Sequence, residues 1–240
     1  MSQNRTENRA PSRRDVWRMF DRISHRYDLL NHLLSMNRDV AWRKRMSRHL
    51  PDRPDLKVLD LATGTADQLL SLYDSGKVGS GVGIDLAEKM LEVGRRKIKQ
   101  RGLESALELQ IGDAENIPFD DNRFDAVSIS FGIRNVIDVP HALSEMHRIL
   151  NSEGRALILE FSLPKSRWIR SLYLIYFRKI LPRLGGLISG DREAYQYLND
   201  TVETFPYGEE FCRLMRDAGF DNVQAIPLTF GIATLYRGDT

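Results

Sequence analysis

The chain is predicted to fold as an α/β protein built on a mostly parallel sheet, and three observations predict it. The apolar run Lys57-Val-Leu-Asp-Leu61 ends in a turn of small residues, Ala62-Thr-Gly-Thr-Ala66, that opens a helical pattern. A second run, 79–85, closes on an acid, Asp85, about twenty residues further on, the spacing of a carboxylate that grips a ribose. From there strand and helix patterns alternate as far as residue 161, and crossover connections of that kind make neighbouring strands parallel.

Each element follows from period and punctuation. Residues 1–14 are polar and carry Arg5, Arg9, Arg13 and Arg14 without an apolar face, so a disordered tail on a cytoplasmic chain is expected. From Asp15 to Leu50 apolar residues recur at helical spacing (Val16, Met19, Phe20, Ile23, Tyr27, Leu30, Leu33, Leu34), and Pro51 and Pro54 stop the run. Strands are expected at 57–61, 79–85, 107–111, 124–130 and 155–161, with helices at 67–75, 87–101 and 139–150. The stretch 163–207 breaks the alternation. It is helical, aromatic and basic, and reads as an insertion ahead of a last helix. Residues 221–227 and 230–237 read as an antiparallel hairpin that closes the sheet.

Composition narrows the function classes. The chain has 240 residues, 42% hydrophobic and 28% charged, which suits one soluble core. A net charge of +2 is too mild to point to nucleic acid. The single cysteine, Cys212, excludes an internal disulfide, and the five histidines have no metal-ligand spacing, so no metal is expected. No apolar run is long enough to span a bilayer.

The turn after the first strand is not the dinucleotide fingerprint, because it offers Ala62, Gly64 and Ala66 where G-x-G-x-x-G demands further glycines. A ligand without a phosphate fits better. Asp60 in the first strand, the small-residue turn and Asp85 resemble the S-adenosyl-L-methionine site of Rossmann-like class I methyltransferases; on this motif alone another α/β nucleotide fold stays open. Under that resemblance Thr65 holds the methionine end of the cofactor and Asp85 accepts the ribose hydroxyls. Asp113 and Ala114 frame the adenine, and Ser130 lies beneath the sulfonium. The alternative for each strand-ending acid is a helix cap.

Longer motifs sharpen the resemblance. Tyr27-Asp-Leu-Leu-Asn31 with Ser35 and Trp42, Ser128-Ile-Ser-Phe-Gly-Ile-Arg-Asn135, Arg148-Ile-Leu150 and Gly154-Arg-Ala-Leu-Ile-Leu-Glu-Phe-Ser162 resemble the signatures of the ubiquinone/menaquinone biosynthesis C-methyltransferases. Asp191, Tyr195, Tyr197, Ala218-Gly-Phe220 and the Leu228-Thr-x-Gly231 segment agree with it. The family often has His at Asp39, Lys-Pro-Gly-Gly at 151–154 and Gly at Ala66, so this chain departs there.

The resemblance implies S-adenosyl-L-methionine-dependent C-methylation of a polyprenylated quinol, demethylmenaquinol first, with the benzoquinol step of ubiquinone synthesis or a non-catalytic cofactor-binding subunit as alternatives. It places Arg134 and Asn135 at the developing phenolate, Arg134 as a cation rather than a base, since guanidinium stays protonated; a salt bridge for Arg134 and a turn cap for Asn135 are the other readings. Tyr27 and Asn31, one helical turn apart, put a catalytic Tyr27 in an N-terminal lid over residues 15–54, with core packing as its alternative. Residues 55–240 then form the methyltransferase domain. The basic, aromatic insertion (Trp168, Leu172, Tyr173, Ile175, Tyr176, Ile180) is expected to touch anionic membrane at the inner face of the cell membrane, or to pack on the sheet. A homodimer through the insertion and hairpin, and a methyltransferase for RNA, complete the readings; the absence of an Asn/Asp-Pro-Pro-aromatic motif argues against RNA.

Overall fold

The computed structural model describes residues 16–24, 35, 37–176, 178 and 201–240. The expected tail, Tyr27, Asn31, Ile180 and the Asp191, Tyr195 and Tyr197 group lie outside the described residues.

Seven strands form one sheet in the order β3-β2-β1-β4-β5-β7-β6. They are β1 (Leu56–Leu61), β2 (Val78–Asp85), β3 (Leu107–Ile111), β4 (Phe124–Ser130), β5 (Leu150–Phe161), β6 (Asp221–Leu228) and β7 (Ala233–Asp239). β1 to β5 pair in parallel, and β7 runs antiparallel to both β5 and β6. β1 and β4 are buried on both faces almost throughout, as interior parallel strands must be, and the polar side chains they bury, Asp60 on β1 and Ser128 on β4, bond to each other.

The sheet is covered on two sides. On one lie α2 (Asp39–Ser47), α3 (Asp67–Tyr73) and α4 (Glu88–Gln100), whose Trp42, Met46, Leu69, Leu72, Leu91 and Ile98 meet Val58, Ala126 and Leu157. On the other lie α5 (Val139–Arg148) and α7 (Glu209–Asp217), whose Leu143, Met146, Phe211 and Met215 meet Leu59, Val127 and Ile158. Each such side chain, fully enclosed, contributes about 1.5–3 kcal/mol. α5 starts where the sequence says it should: Asp138 accepts from the His141 backbone N–H at 3.0 Å, and Pro140 stands in the first turn, where its missing N–H costs nothing.

Two strands differ from the sequence reading, and one is β7, which begins at Ala233 and not at residue 230 because the 3₁₀ turn Thr229–Gly231 precedes it. β5 begins at Leu150 and not at residue 155, because Leu150 already pairs with Phe124 before the register shifts. Gly154 makes this possible: a side chain there would strike Leu150 Cβ and Asn151 O at 2.8 Å. At the front of the chain, α1 (Val16–Ile23) buries Val16 and Met19 and packs on α4, where Lys89 N donates to Asp21 Oδ1 at 3.1 Å. In the 163–207 stretch the described residues contain α6 (Arg167–Ile175). No helix of the described residues is long and apolar enough to cross a membrane.

Candidate active site

The strand order reverses between β1 and β4, and a cavity of about 270 Å³ opens there, beyond the strands' carboxyl ends. Its floor is the turn after β1. Ala62, Gly64 and Ala66 all take left-handed φ values of 45°, 56° and 66°. Two acids hold that turn. Asp60, 1% exposed, accepts from Thr63 Oγ1 at 2.7 Å and from Ser128 Oγ on β4. Burial pushes its pKa up to about 6, against the pull of the two hydroxyl donors and of Arg43, while Asp85 raises it further. Asp85 ends β2. Its Oδ2 accepts from Gly64 N at 2.8 Å and its Oδ1 from Ala87 N at 2.9 Å, so one carboxylate ties the turn to the start of α4. Burial raises this pKa as well, opposed by the Ala87, Gly64 and Leu86 backbone N–H groups.

Asp85 lines the cavity, and a carboxylate has about four acceptor positions, so it retains capacity for a ligand's hydroxyls. Gly112, Asp113 and Ala114, after β3, form the next stretch of wall. Asp113 Oδ1 accepts from Glu115 N at 2.9 Å, which folds the loop back toward the pocket. Leu86, Met90, Val136 and Ile137 supply an apolar slot, and Val16, Trp17 and Phe20 of α1 lie across it. A neutral ring beside a diol fits such walls: carboxylate where hydroxyls would lie, apolar side chains where an aromatic face would lie.

Of the residues singled out in the sequence, the structure brings Asp85, Asp113, Ala114 and Asn135 to this one cavity. Thr65, Ser130 and Arg134 are not among the residues that line it. Thr65 accepts from Lys97 Nζ at 3.0 Å. Ser130 is buried and donates to Gln68 Oε1 at 3.0 Å, with Met46 Sδ at 3.5 Å. Arg134 is 5% exposed; its NH1 lies 2.7 Å from both Glu160 Oε1 and the Phe131 carbonyl. Glu160, 1% exposed at the end of β5, also accepts from the backbone N–H groups of Arg134 and Phe161. This pair braces the short 3₁₀ turn Ile133–Asn135 from which Asn135 meets the cavity. Asp39 is buried at the first turn of α2 and accepts from Ser35 Oγ at 2.7 Å, an arrangement that stabilises a helix start.

Sequence reasoning missed Glu160 and Arg43. The signal for Glu160 was present, as an acid inside the apolar run 156–161. Phe131 deserves the same remark. It takes φ 58°, costly for a bulky residue, and is held by Phe161 at 4.5 Å and Trp42 at 6.2 Å between ring centroids. Trp42 is fixed in turn by its Nε1 donating to Thr229 Oγ1 at 2.8 Å.

Comparison with known proteins finds relatives over nearly the whole chain. The sequence pattern of the ubiE/COQ5 methyltransferase family matches residues 6–239. A ubiquinone/menaquinone biosynthesis C-methyltransferase UbiE of Geotalea uraniireducens is 44% identical over 225 residues, covering 93% of this chain and 95% of that protein. A demethylmenaquinone methyltransferase of Thermus thermophilus is 44% identical over 221 residues, covering 92% of this chain and 99% of that protein. Among solved structures, a SAM-dependent methyltransferase of Thermotoga maritima, titled a possible histamine N-methyltransferase, superposes with a TM-score of 0.65 over 93% of this chain and 99% of that chain, at 20% identity. That last likeness concerns the fold alone.

Proposed function

Since the chain belongs to the ubiE/COQ5 methyltransferase family, we propose that it transfers a methyl group from S-adenosyl-L-methionine to a ring carbon of a polyprenylated quinol, demethylmenaquinol above all. One observation carries the reading: Asp85, the 112–114 loop and Asn135 meet in a single cavity at the point where strand order reverses. The cofactor supplies an electrophilic methyl on a sulfonium. What remains for the protein is to bind, orient and exclude water, and alignment alone is worth up to roughly 7–11 kcal/mol of a barrier.

The roles divide by place. Asp85 takes the ribose hydroxyls; Asp113 and Ala114 take the adenine; Thr65 and Ser130 stiffen the turn and the strand end around the methionine portion. A quinol carbon becomes nucleophilic as its ring hydroxyl loses a proton. Asn135 orients that oxygen from the cavity wall, and Arg134, the preceding residue on the same turn, has a positioning part: paired with Glu160, it holds that turn in place. Of the N-terminal segment 15–54, α1 acts as a lid, whereas α2 is packed into the core of the sheet; Tyr27, outside the described residues, keeps the catalytic part proposed for it. In support, Val16, Trp17 and Phe20 already lie against the cavity.

A polyprenyl tail keeps the acceptor in a bilayer, so the enzyme works at a membrane surface. α6 supports this: Trp168 and Leu172, four residues apart, are 85% and 70% exposed, beside exposed Lys165, Arg167 and Arg170. Phe230, 76% exposed, belongs to the same end of the molecule, because Ser162 Oγ donates to Gly231 O at 2.8 Å and ties its turn to the segment that leads into α6.

The test is transfer of labelled methyl to short-chain demethylmenaquinol and to its benzoquinol counterpart under reducing conditions. Label in the naphthoquinol is expected; label only in the benzoquinol moves the pathway, and label in neither defeats the reading. Arg134→Ala is expected to keep donor affinity and lose most turnover; the reverse pattern removes Arg134 from the reaction. Flotation with anionic liposomes is expected to carry the wild type and not Trp168→Ser/Leu172→Ser. No flotation, with a dimer found by light scattering, gives this face to a second copy of the chain.

A further inference from the structure

The donor proposed above is a zwitterion at its amino-acid end, and its α-carboxylate needs a cation or a set of N–H donors once it leaves water. The described residues that line the cavity include three acids, Asp85, Asp113 and Glu115, and no Lys or Arg. Two nearby cations are already taken. Lys97 Nζ lies 2.6 Å from Asp67 Oδ1, and Arg134 NH1 lies 2.7 Å from Glu160.

Arg43 differs. It sits on the inward face of α2, is only 8% exposed, and its Nε makes no hydrogen bond. Among the described residues no acid pairs with it within 4.0 Å. Its guanidinium carbon lies 5.4 Å from the centroid of the Phe131 ring, and Phe131 lines the cavity. It is also close enough to Asp60 for its charge to be felt there, beneath the Ala62–Ala66 turn. Its Nε is buried without a partner while the residue also lines a second cavity beside α3, and a largely buried guanidinium without its own carboxylate is stabilised when an anion arrives. A planar fork is also the group that matches a carboxylate with two parallel bonds.

We propose that Arg43 is the anchor for the α-carboxylate of the donor, approached from between Phe131 and the turn after β1. The proposal rests on the S-adenosyl-L-methionine reading and assigns to α2 a part in cofactor recognition. Through it, α2 fixes the amino-acid end while Asp85 and the 112–114 loop fix the nucleoside end, so the sulfonium is held from both sides.

The test uses two ligands that differ by this one group. S-Adenosylhomocysteine carries the amino-acid end; 5′-methylthioadenosine keeps the nucleoside and thioether and lacks it. Calorimetric titration of the full chain is expected to show Arg43→Gln weakening S-adenosylhomocysteine by about 10- to 100-fold, the loss of a charged hydrogen-bond pair. Affinity for 5′-methylthioadenosine should stay within about 2-fold of wild type. Arg43→Lys, which keeps the charge and loses the fork, should recover part of the preference. Equal weakening of both ligands in the variants means that Arg43 only supports the fold, and no weakening of either means that the carboxylate lies elsewhere; each overturns the proposal. A wild-type chain that binds neither ligand overturns the cofactor reading and this inference with it.

Discussion

Replacing Arg134 by Met would strand Glu160. The carboxylate is 1% exposed and accepts three bonds: from Arg134 NH1 at 2.7 Å, from Phe161 N at 2.8 Å and from Arg134 N at 3.3 Å. The substitution removes the only charged donor among the described residues and leaves the two backbone N–H groups. Breaking a buried pair from one side costs about 3–5 kcal/mol, and the surviving donors place this case near 3. Glu160→Gln keeps an acceptor at Oε1 for Phe161 N and Arg134 NH1 but replaces the Oε2 that accepts from Arg134 N with an amide donor, so its cost is about 1–3 kcal/mol. The double variant Arg134→Met/Glu160→Gln then contains no isolated charge, and its cost should fall short of the sum of the two by about 1.5–3 kcal/mol. Urea unfolding followed by tryptophan fluorescence and far-UV circular dichroism gives all four corners of the cycle. A coupling energy below about 0.5 kcal/mol would refute the reasoning. It would mean that solvent reaches the pair and that the guanidinium is not committed to holding the turn under Asn135.

Other measurements probe the remaining parts of the site. Asp60 has a folded pKa of about 6, above its unfolded value, so the folded state holds the extra proton; its stabilising contribution is complete below about pH 4 and is lost as pH rises through 6. The loss amounts to ~3 kcal/mol, and urea midpoints at pH 4.5 and 7.5 should show a smaller fall for Asp60→Asn than for wild type; parallel pH profiles would argue against it. Ala66→Gly relieves a left-handed alanine at φ 66°, a gain of about 1–2 kcal/mol reduced by the added freedom of the unfolded chain. A rise of roughly 1–3 °C in Tm is expected, and a fall would show that the turn is not strained. Asp85→Asn should weaken donor binding by about 10- to 100-fold in calorimetry with the fold intact by circular dichroism; unchanged affinity would remove the carboxylate from ribose recognition.

How much of this was legible depends on whether a residue's partner is local. β3 and β4 lie at the residues the sequence marks, β4 because a strand buried on both faces is mostly apolar, and β3, at the sheet edge, because Leu107, Leu109 and Ile111 alternate with polar residues. Asp85 was legible for a similar reason: strand end, acid and following helix are neighbours in sequence. Arg134 was not, since what it touches is decided by β5 lying beside β4, which brings Glu160 to it across 26 residues of sequence. Thr65 shows the same limit. Its hydroxyl is taken up by Lys97, a helix turn on α4 that nothing near residue 65 announces. α2 was the hardest to interpret, because its inward face carries Asp39 and Arg43 among Trp42 and Met46, and polar residues on that face hide a helix from a periodicity argument.

The placement of β7 between β5 and β6 has a consequence for how the protein is made. Strands leave the ribosome in the order β1 to β7, yet the sixth has no place beside the fifth until the seventh arrives to separate them. The edge of β5 therefore stays open during synthesis, with Leu157 and Leu159 in its span, and a half-made chain offers a bare strand to any neighbouring nascent chain. That edge closes only when β7 pairs with it, from Arg155 with Asp239 to Phe161 with Ala233.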